Sequence, residues 1–300
     1  MIHAVWDTVG GVRVRGHVND RARHPERALG KCRSLDFARD DTSGHPERAE
    51  RVEGSAPPPS DVGVAPHVVL VHGLGMAANY LEPTMRALGD RLAASALDLP
   101  GFGKSKARGR HLSLAELADA LVEWMRVRGI PAPILVGQSQ GCQVVVEAVT
   151  RMPDLAAALV LNAPTMLAGS RTIHQQFWYV VQDTPREPIA LVPHVARDYL
   201  RAGPSRILGT LRDALRDRIE DKLPRVNVPV TIMCGARDPV APPAWGMQLA
   251  RLTGSQVGAV PAKFVAIAGA AHAAPFSHPQ AIAQEVLAIA AHPERAQPRP

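Results

Sequence analysis

The sequence is poor in cysteine, and its three cysteines, Cys32, Cys142 and Cys234, form no recognisable pattern. An odd number without metal-ligand spacing argues against both a disulfide framework and a zinc site. Two of the three, Cys142 and Cys234, lie inside apolar runs. We therefore expect free, buried thiols in the reducing cytoplasm. The opening residues, MIHAVWDTVGG, also lack the basic and apolar segments of a secretory signal.

Long apolar runs and aromatic residues are scarce as well. No stretch of 18 apolar residues occurs, so the sequence predicts no membrane span. The net charge of +6 raises nucleic acid as a partner, but aromatic residues are only 4% of the chain and no Lys/Arg block is interleaved with them. The most charged segment, residues 19–63, holds eight Lys/Arg against nine Asp/Glu. We therefore expect no nucleic-acid binding.

The two ends of the chain differ from its middle. Residues 1–18 alternate apolar and polar side chains around a Gly-Gly pair, which is typical of a hairpin of strands at the edge of a sheet. Residues 19–63 carry many charges and prolines and too little apolar surface to order themselves, so we expect a flexible insertion there. We expect residues 292–300 to form a disordered tail.

The middle of the chain alternates short apolar runs with helical patterns. Runs such as HVVLV, PILVG and AAALVLN lack polar alternation, and helical patterns lie between most of them. This arrangement indicates an α/β fold with a mostly parallel central sheet and helices on both of its faces. Residues 164–225 contain helical patterns and no convincing strand. We expect a helical insertion there, after the sixth strand, between core segments 64–163 and 226–291.

A Gly-x-Ser-x-Gly pentapeptide, GQSQG, surrounds Ser139. Chance produces this motif often enough that the pentapeptide alone is weak, but an apolar run precedes it and an apolar helical pattern follows it. A strand that turns abruptly into a helix strains the backbone at the turn and leaves room only for small residues two positions to either side. We therefore interpret Ser139 as a nucleophile whose Oγ stands above the sheet.

A serine hydroxyl needs a base and a group that orients the base. His272 is distinctive among twelve histidines because it comes just after the run KFVAIAG, where the last strand ends. Asp238 likewise comes just after the run VPVTIMCG, although an Asp-Pro pair also suits a plain turn. Because catalytic groups of open α/β sheets gather at the carboxyl ends of strands, we expect Ser139, Asp238 and His272 to meet there.

A dinucleotide site is the main alternative. VVLVHGLGMAA matches Gly-x-Gly-x-x-Ala between a strand and a helix, and Asp98 ends the next strand 25 residues after Gly73. Asp98, however, leads into the turn-rich loop PGFGKS, and the fingerprint leaves Ser139 and its partners unexplained. A turn role for Asp98 is the better interpretation. The HGLG loop then supplies one of the two N–H donors that an acyl-transfer oxyanion needs, from Leu74, and Gln140 supplies the other.

Five segments, VVLVHGLG, LDLPGFGKS, VGQSQG, CGARDPV and GAAH, in this order, resemble the α/β-hydrolase superfamily over about residues 66–291. The insertion 164–225 matches the helical cap of that family. The resemblance implies a serine triad, two oxyanion donors, and neither a metal nor an organic cofactor. The triad would be Ser139, Asp238 and His272, and the donors Leu74 and Gln140. Gln138, Gln140 and Cys142 depart from the residues that many relatives carry at these positions.

Serine at this position disfavours the dehalogenase and epoxide-hydrolase branches of the superfamily, which need a carboxylate nucleophile. We expect the substrate to be a small molecule, a carboxylic ester, thioester or lactone. A C–C bond hydrolase, an acyltransferase and a non-catalytic ligand-binding regulatory protein remain alternatives. The pocket candidates are Met166, Phe177, Trp178 and Tyr179, although such aromatic clusters are more often plain packing. Ten Lys/Arg against seven Asp/Glu in residues 164–225 give only weak support for an anionic substrate.

Overall fold

The computed structural model describes residues 1–19, 21, 66–106, 109–253 and 262–292. The expected insertion at 19–63 and tail at 292–300 lie outside the described residues, apart from residues 19, 21 and 292. Cys32 lies outside them too, whereas Cys142 and Cys234 are free and buried. No helix in the part of the chain that the structure describes combines the length and hydropathy needed to cross a bilayer.

The described residues form one sheet of eight strands, flanked by helices. The strands are β1 (Ile2–Val9), β2 (Val12–Asn19), β3 (Val68–Val71), β4 (Ala94–Leu97), β5 (Ile134–Gln138), β6 (Ala158–Asn162), β7 (Val230–Gly235) and β8 (Lys263–Ile267). The α-helices are α1 (Glu82–Leu88), α2 (Leu114–Val127), α3 (Gln140–Arg151), α4 (Ile173–Asp183), α5 (Val192–Ala202), α6 (Pro204–Arg216), α7 (Ile219–Lys222), α8 (Pro243–Leu252), α9 (Ala274–Ser277) and α10 (Pro279–Ala290). Short 3₁₀ turns lie at Ala78–Leu81, Pro153–Leu155, Thr184–Arg186, Ile189–Leu191 and Leu223–Arg225.

The strand order in space is β1-β2-β4-β3-β5-β6-β7-β8. Strands β1 and β2 form an antiparallel hairpin, and β2 pairs antiparallel with β4. All other pairs, from β4 through β8, are parallel. The prediction of a mostly parallel sheet in an α/β fold is therefore confirmed.

Two apolar layers hold the sheet between its helices. Val69 and Val71 of β3 face a cluster that includes side chains of α2, α3 and α8. Val68 and Leu70 of the same strand face a second cluster that includes side chains of α1 and α10. Since successive strand residues point to opposite faces, a continuous apolar run is what a strand covered on both sides requires.

The carboxyl ends of the parallel strands carry the residues singled out by the sequence. Ser139 directly follows β5, whereas Asp238 and His272 follow β7 and β8. Two backbone hydrogen bonds, from Ala236 N–H to Ile267 and from Arg237 N–H to Ala270, join the loops after β7 and β8. The strand ends therefore bring distant parts of the sequence to one edge of the sheet.

Residues 164–225, which we call the cap, lie between β6 and β7 and contain helices α4 to α7 without a strand. Helix α5 ends at Ala202 and is followed by Gly203, whose φ of 77° suits glycine, and α6 begins at once with Pro204. The cap closes over the carboxyl edge of the sheet, since residues of α4, α5 and α6 line a cavity together with Ser139 and His272.

Candidate active site

Ser139 occupies a sharp turn between β5 and α3. Its φ of 55° and ψ of −121° lie in a region that non-glycine residues rarely adopt, and such a conformation costs on the order of 1–3 kcal/mol. Two hydrogen bonds of 2.9 Å hold it: Ser139 N–H donates to Asn162 O, and Cys142 N–H donates to Ser139 O. The strained backbone presents the hydroxyl at the cavity.

Three glycines make room for this turn. A Cβ on Gly141 would overlap the backbone oxygen of Val71, and one on Gly137 would lie 2.8 Å from the backbone of Cys142. A Cβ on Gly73 would lie 3.0 Å from the Cβ of Ser139 itself. The small residues on either side of the serine are therefore required by close backbone approach.

Ser139, His272 and Asp238 form one hydrogen-bonded chain. Ser139 Oγ lies 3.0 Å from His272 Nε2, and His272 Nδ1 lies 2.9 Å from Asp238 Oδ2. The other carboxylate oxygen, Oδ1, accepts from the backbone N–H groups of Val240 (2.7 Å) and Ala241 (2.9 Å). A carboxylate on Nδ1 requires a proton there, so Nε2 of neutral His272 is left to accept the serine proton.

The charges around His272 favour its protonated form. Burial lowers its pKa, but the charge and the hydrogen bond of Asp238, followed by the charges of Asp183 and Glu187, raise it, and the resulting pKa is about 9. The side chain of Asp238 is fully inaccessible to solvent. An imidazolium formed by proton transfer from Ser139 would therefore be stabilised from several sides.

The two backbone N–H groups predicted as oxyanion donors, those of Leu74 and Gln140, belong to the residues that follow Gly73 and Ser139. Gln140 is the first residue of α3, where N–H groups have no acceptor within the helix. Neither N–H donates to an acceptor among the residues that the structure describes. Leu74 also lines the cavity. These are the properties required of oxyanion donors, and both N–H groups remain candidates for that role.

His72 braces the loop that carries Leu74. The N–H of Leu99 donates to His72 Nε2 at 3.0 Å, so the ring proton is on Nδ1, which donates to Gly73 O at 2.9 Å. Burial lowers the pKa of His72, consistent with the neutral ring that this pattern requires. The sequence offered no sign of this role beyond a histidine at the end of β3.

Asp98 stabilises the neighbouring loops and is completely buried. Its Oδ1 accepts from Ala78 N–H at 2.7 Å, and its Oδ2 accepts from Lys104 N–H at 3.0 Å. Both oxygens are thus engaged by the backbone of this chain. The turn interpretation of Asp98 is confirmed, and the ribose-binding alternative is not supported.

Gln138 links the nucleophile turn to the histidine loop. Its Nε2 donates to the backbone oxygen of His272 at 2.9 Å, and its Oε1 accepts from Asn162 Nδ2. The amide of Gln138 therefore connects the ends of β5, β6 and β8. The sequence marked Gln138 only as unusual, because its partner lies 134 positions away.

Two acidic residues of the cap also bind the histidine loop. Asp183 Oδ1 accepts from His272 N–H at 3.3 Å, and Glu187 Oε1 accepts from the next N–H, of Ala273, at 2.6 Å. Burial is the main reason why the pKa of each carboxyl is raised, for Glu187 to about 7. Sequence reasoning missed both, since neither lies in a motif.

A cavity of about 370 Å³ opens in front of Ser139 and is lined mainly by apolar side chains. Cap residues supply much of this lining: Met166, Val180, Leu191, Val192, Val195 and Leu211. Met166 lies where the sequence predicted a pocket residue.

The prediction was wrong for Phe177, Trp178 and Tyr179, which do not line the cavity. Phe177 and Trp178 are 69% and 59% exposed, and the hydroxyl of Tyr179 donates to Ser170 Oγ at 3.1 Å. Helix α4 turns a different face to the cavity, the one carrying Gln176 and Val180. Because α4 carries apolar residues on more than one face, its sequence does not indicate which face lines the cavity.

Known proteins resemble this chain in sequence and in structure. The model of the Alpha/beta hydrolase family matches residues 68–285. A pimeloyl-[acyl-carrier protein] methyl ester esterase from Neisseria meningitidis serogroup A is 28% identical over 243 residues, which cover 72% of this chain and 74% of that protein.

Two solved structures share the fold at low sequence identity. A thermophilic esterase from Thermogutta terrifontis superimposes with a TM-score of 0.68 at 18% identity, and the match covers 97% of this chain and 99% of the esterase chain. The enol-lactonase from Burkholderia xenovorans LB400 superimposes with a TM-score of 0.68 at 17% identity, and the match covers 95% of this chain and 98% of the lactonase chain.

Proposed function

The chain belongs to the alpha/beta hydrolase family, and from that premise we propose that it is a serine hydrolase that cleaves a small, uncharged carboxylic ester, thioester or lactone. The observation that carries the proposal is the hydrogen-bonded chain from Ser139 Oγ through His272 to Asp238, at the wall of an apolar cavity. The esterase name of the relative from Neisseria meningitidis adds support.

In the proposed reaction, Ser139 Oγ attacks the carbonyl carbon of the ester while His272 Nε2 takes the hydroxyl proton. The carbonyl oxygen becomes an oxyanion, which the N–H groups of Leu74 and Gln140 stabilise. Collapse of the tetrahedral intermediate releases the alcohol, which receives the proton from His272. Water then attacks the acyl-serine with the same histidine as base, releasing the acid and restoring Ser139.

The lining of the cavity suggests which kind of acyl or alcohol group the site accepts. Its lining is largely apolar, and the titratable cap groups within it are Asp183, Glu187 and Tyr199. A substrate with a free carboxylate would meet two acidic side chains in a site of low polarity, which is unfavourable. We therefore propose neutral substrates rather than anionic ones.

Replacement of Ser139 by alanine tests the proposal. We expect kcat for p-nitrophenyl butyrate to fall by at least about 10⁴-fold, because no nucleophile is left. Labelling by a fluorophosphonate probe should disappear in the same variant, while its circular dichroism and thermal midpoint stay those of the wild type.

Ser205→Ala is the matched control, since Ser205 is exposed on α6 and should retain full activity and labelling. Undiminished turnover by Ser139→Ala would exclude the proposed nucleophile. A wild-type protein that resists the probe and turns over no ester, thioester or lactone would instead favour a ligand-binding role.

A further inference from the structure

The basic and acidic residues of the cap differ in how far they are exposed. Six of its ten Arg/Lys side chains are exposed, but Asp221 is the only exposed one of its seven acidic residues. Asp183 and Asp198 are buried, and the other four acids are partly buried. The exposed charges of the cap are therefore mostly positive although the cap as a whole is nearly balanced. The exposed cationic residues are Arg186, Arg201, Arg212, Arg216, Arg218 and Arg225.

None of the six exposed arginines forms a salt bridge with a carboxylate in the described residues, whereas three of the four partly buried cations of the cap, Arg171, Arg197 and Lys222, do. Arg186 is near enough to Asp183 for its charge to favour the ionised carboxylate. Arg171 pairs with Glu220 at 2.6 Å, and Lys222 pairs with Glu147 at the same distance. The positive charge of these exposed arginines is thus available to an external anion.

Exposed apolar side chains are also concentrated in the cap. Ten of the fourteen large apolar side chains that are exposed among the described residues belong to the cap. Ile189 and Leu200 are 87% and 82% exposed, and Phe177 and Trp178 follow at 69% and 59%. Exposed apolar surface of this extent marks a site of interaction with another phase or molecule.

The apolar surface surrounds the mouth of the cavity. Val180, Val192 and Tyr199 line the cavity and are also 53%, 55% and 37% exposed. Ile173 and Phe177 lie seven and three residues before Val180 on α4, so they flank this cavity-lining residue on the same side of the helix. A molecule seated on this surface would therefore cover the opening to Ser139.

We propose that the outer cap face, which we define as the exposed apolar side chains of α4, of the turn Ile189–Leu191 and of α5 together with Arg186 and Arg201, docks on a lipid surface that contains anionic lipids. Arginine beside tryptophan, phenylalanine and leucine is the composition of interfacial helices, whose apolar side chains enter the headgroup region while the cations meet lipid phosphates. Among the acidic residues of the cap only Asp221 is exposed, and it lies outside this face, so no exposed carboxylate there opposes anionic headgroups. Docking would bring the cavity mouth to the lipid.

Vesicle flotation with the full-length Ser139→Ala protein tests docking apart from hydrolysis, so failure of the proposed activity and failure of docking are distinguishable. We expect flotation with vesicles of phosphatidylcholine and phosphatidylglycerol, weaker binding to phosphatidylcholine alone, and loss of binding as salt is added. Each of Arg186→Gln and Arg201→Gln should lower the partition coefficient about fivefold. Phe177→Ser with Trp178→Ser should lower it at least about tenfold.

Three comparisons complete the test. Arg126→Gln with Val127→Ser, an exposed pair on α2 of the core, should leave partitioning unchanged. Trp178→Phe should keep binding but lose the blue shift of tryptophan emission on adding vesicles. The Phe177/Trp178 double variant in the active background should hydrolyse soluble p-nitrophenyl butyrate at the wild-type rate.

Four results would overturn the proposal. These are absence of flotation with anionic vesicles, equal flotation by the double variant, a solution dimer that the double variant converts to a monomer, and binding to soluble polyglutamate without binding to vesicles. The third would assign the outer cap face to a second copy of the chain, and the fourth to an acidic protein.

Discussion

The sheet and the cap enclose the same cavity but hold their parts of it in different ways. On the sheet side the backbone itself positions the groups: Ser139 sits in a strained turn, and loops joined by main-chain hydrogen bonds carry Asp238 and His272. On the cap side, side chains reach across to the histidine loop from Asp183 and Glu187. Backbone positioning leaves little freedom, whereas side-chain contacts can change with protonation.

The sheet and the cap also differ in how many of their residues are buried. The sheet strands β3 to β7 are buried along their whole length, whereas each of the long cap helices α4, α5 and α6 buries only two or three residues. We therefore expect substitutions on the sheet side to abolish catalysis or folding. Substitutions in the cap should change pH dependence and substrate preference.

Asp238→Asn should have the largest effect, about 10⁴-fold on kcat. Val240 and Ala241 donate N–H groups to Oδ1, so the oxygen of the new amide side chain would stay there and its NH₂ would face His272 Nδ1. The imidazole would then carry its proton on Nε2 and could not accept the proton of Ser139. Hydrolysis of p-nitrophenyl butyrate measures kcat, with the exposed Asp154→Asn as control. A loss of less than tenfold would contradict the proposed role of Asp238.

Gly141→Ala should destabilise the fold by about 3 kcal/mol, since an added Cβ overlaps a backbone oxygen that cannot move away. Gly129→Ala is the matched control. Gly129 has a φ of 60° but no atom within 4 Å of an added Cβ. Gly129→Ala should therefore lower the free energy of unfolding by only about 1–2 kcal/mol, the cost of a left-handed backbone at alanine. Urea unfolding measures both. Equal costs would mean that close packing at the turn is not what requires glycine.

The same difference between sheet and cap explains how far the sequence could predict the molecule. Apolar runs without polar alternation indicate strands that are covered on both faces. Because the carboxyl ends of parallel strands meet at one edge of the sheet, the sequence alone predicted that Ser139, Asp238 and His272 lie close together. The structure places them in hydrogen-bond contact. Their catalytic roles remain a prediction until variants are measured.

The cap could not be predicted to the same depth. Helix α4 is apolar on two sides, so periodicity alone cannot say whether Phe177 or Val180 faces the cavity. The contacts of Asp183 and Glu187 span 89 and 86 residues of sequence. Local patterns carry no information about such partners, and the inward orientation of the cap acids became visible only with the fold.

Asp183→Asn and Glu187→Gln should each raise kcat/KM by about two- to fivefold at pH 8, where Glu187, with a pKa of about 7, is mostly ionised. Both variants retain an oxygen that accepts the backbone N–H but remove a negative charge that raises the pKa of His272. His272 is a base only when neutral, so activity rises as pH passes upward through its pKa, and a lower pKa moves that rise to lower pH. The pH profile of kcat/KM measures the shift. Glu220→Gln, whose carboxylate pairs with Arg171 in the cap, is the control. An acid limb that stays in place would mean that these carboxylates do not act through His272.

The smallest expected effects distinguish an apolar cap residue that lines the cavity from one that is exposed on the outside of the cap. Met166 is 5% exposed and lines the cavity, whereas Phe177 is 69% exposed and does not. Met166→Ala should raise KM for p-nitrophenyl butyrate about fivefold, because it removes apolar contact worth on the order of 1 kcal/mol. Phe177→Ala should leave KM within about twofold, since a soluble ester in the cavity never touches that side chain. A panel of acyl chain lengths measured on both variants separates the two positions. Equal changes in KM would mean that the substrate reaches the outer cap face, or that α4 turns when it binds.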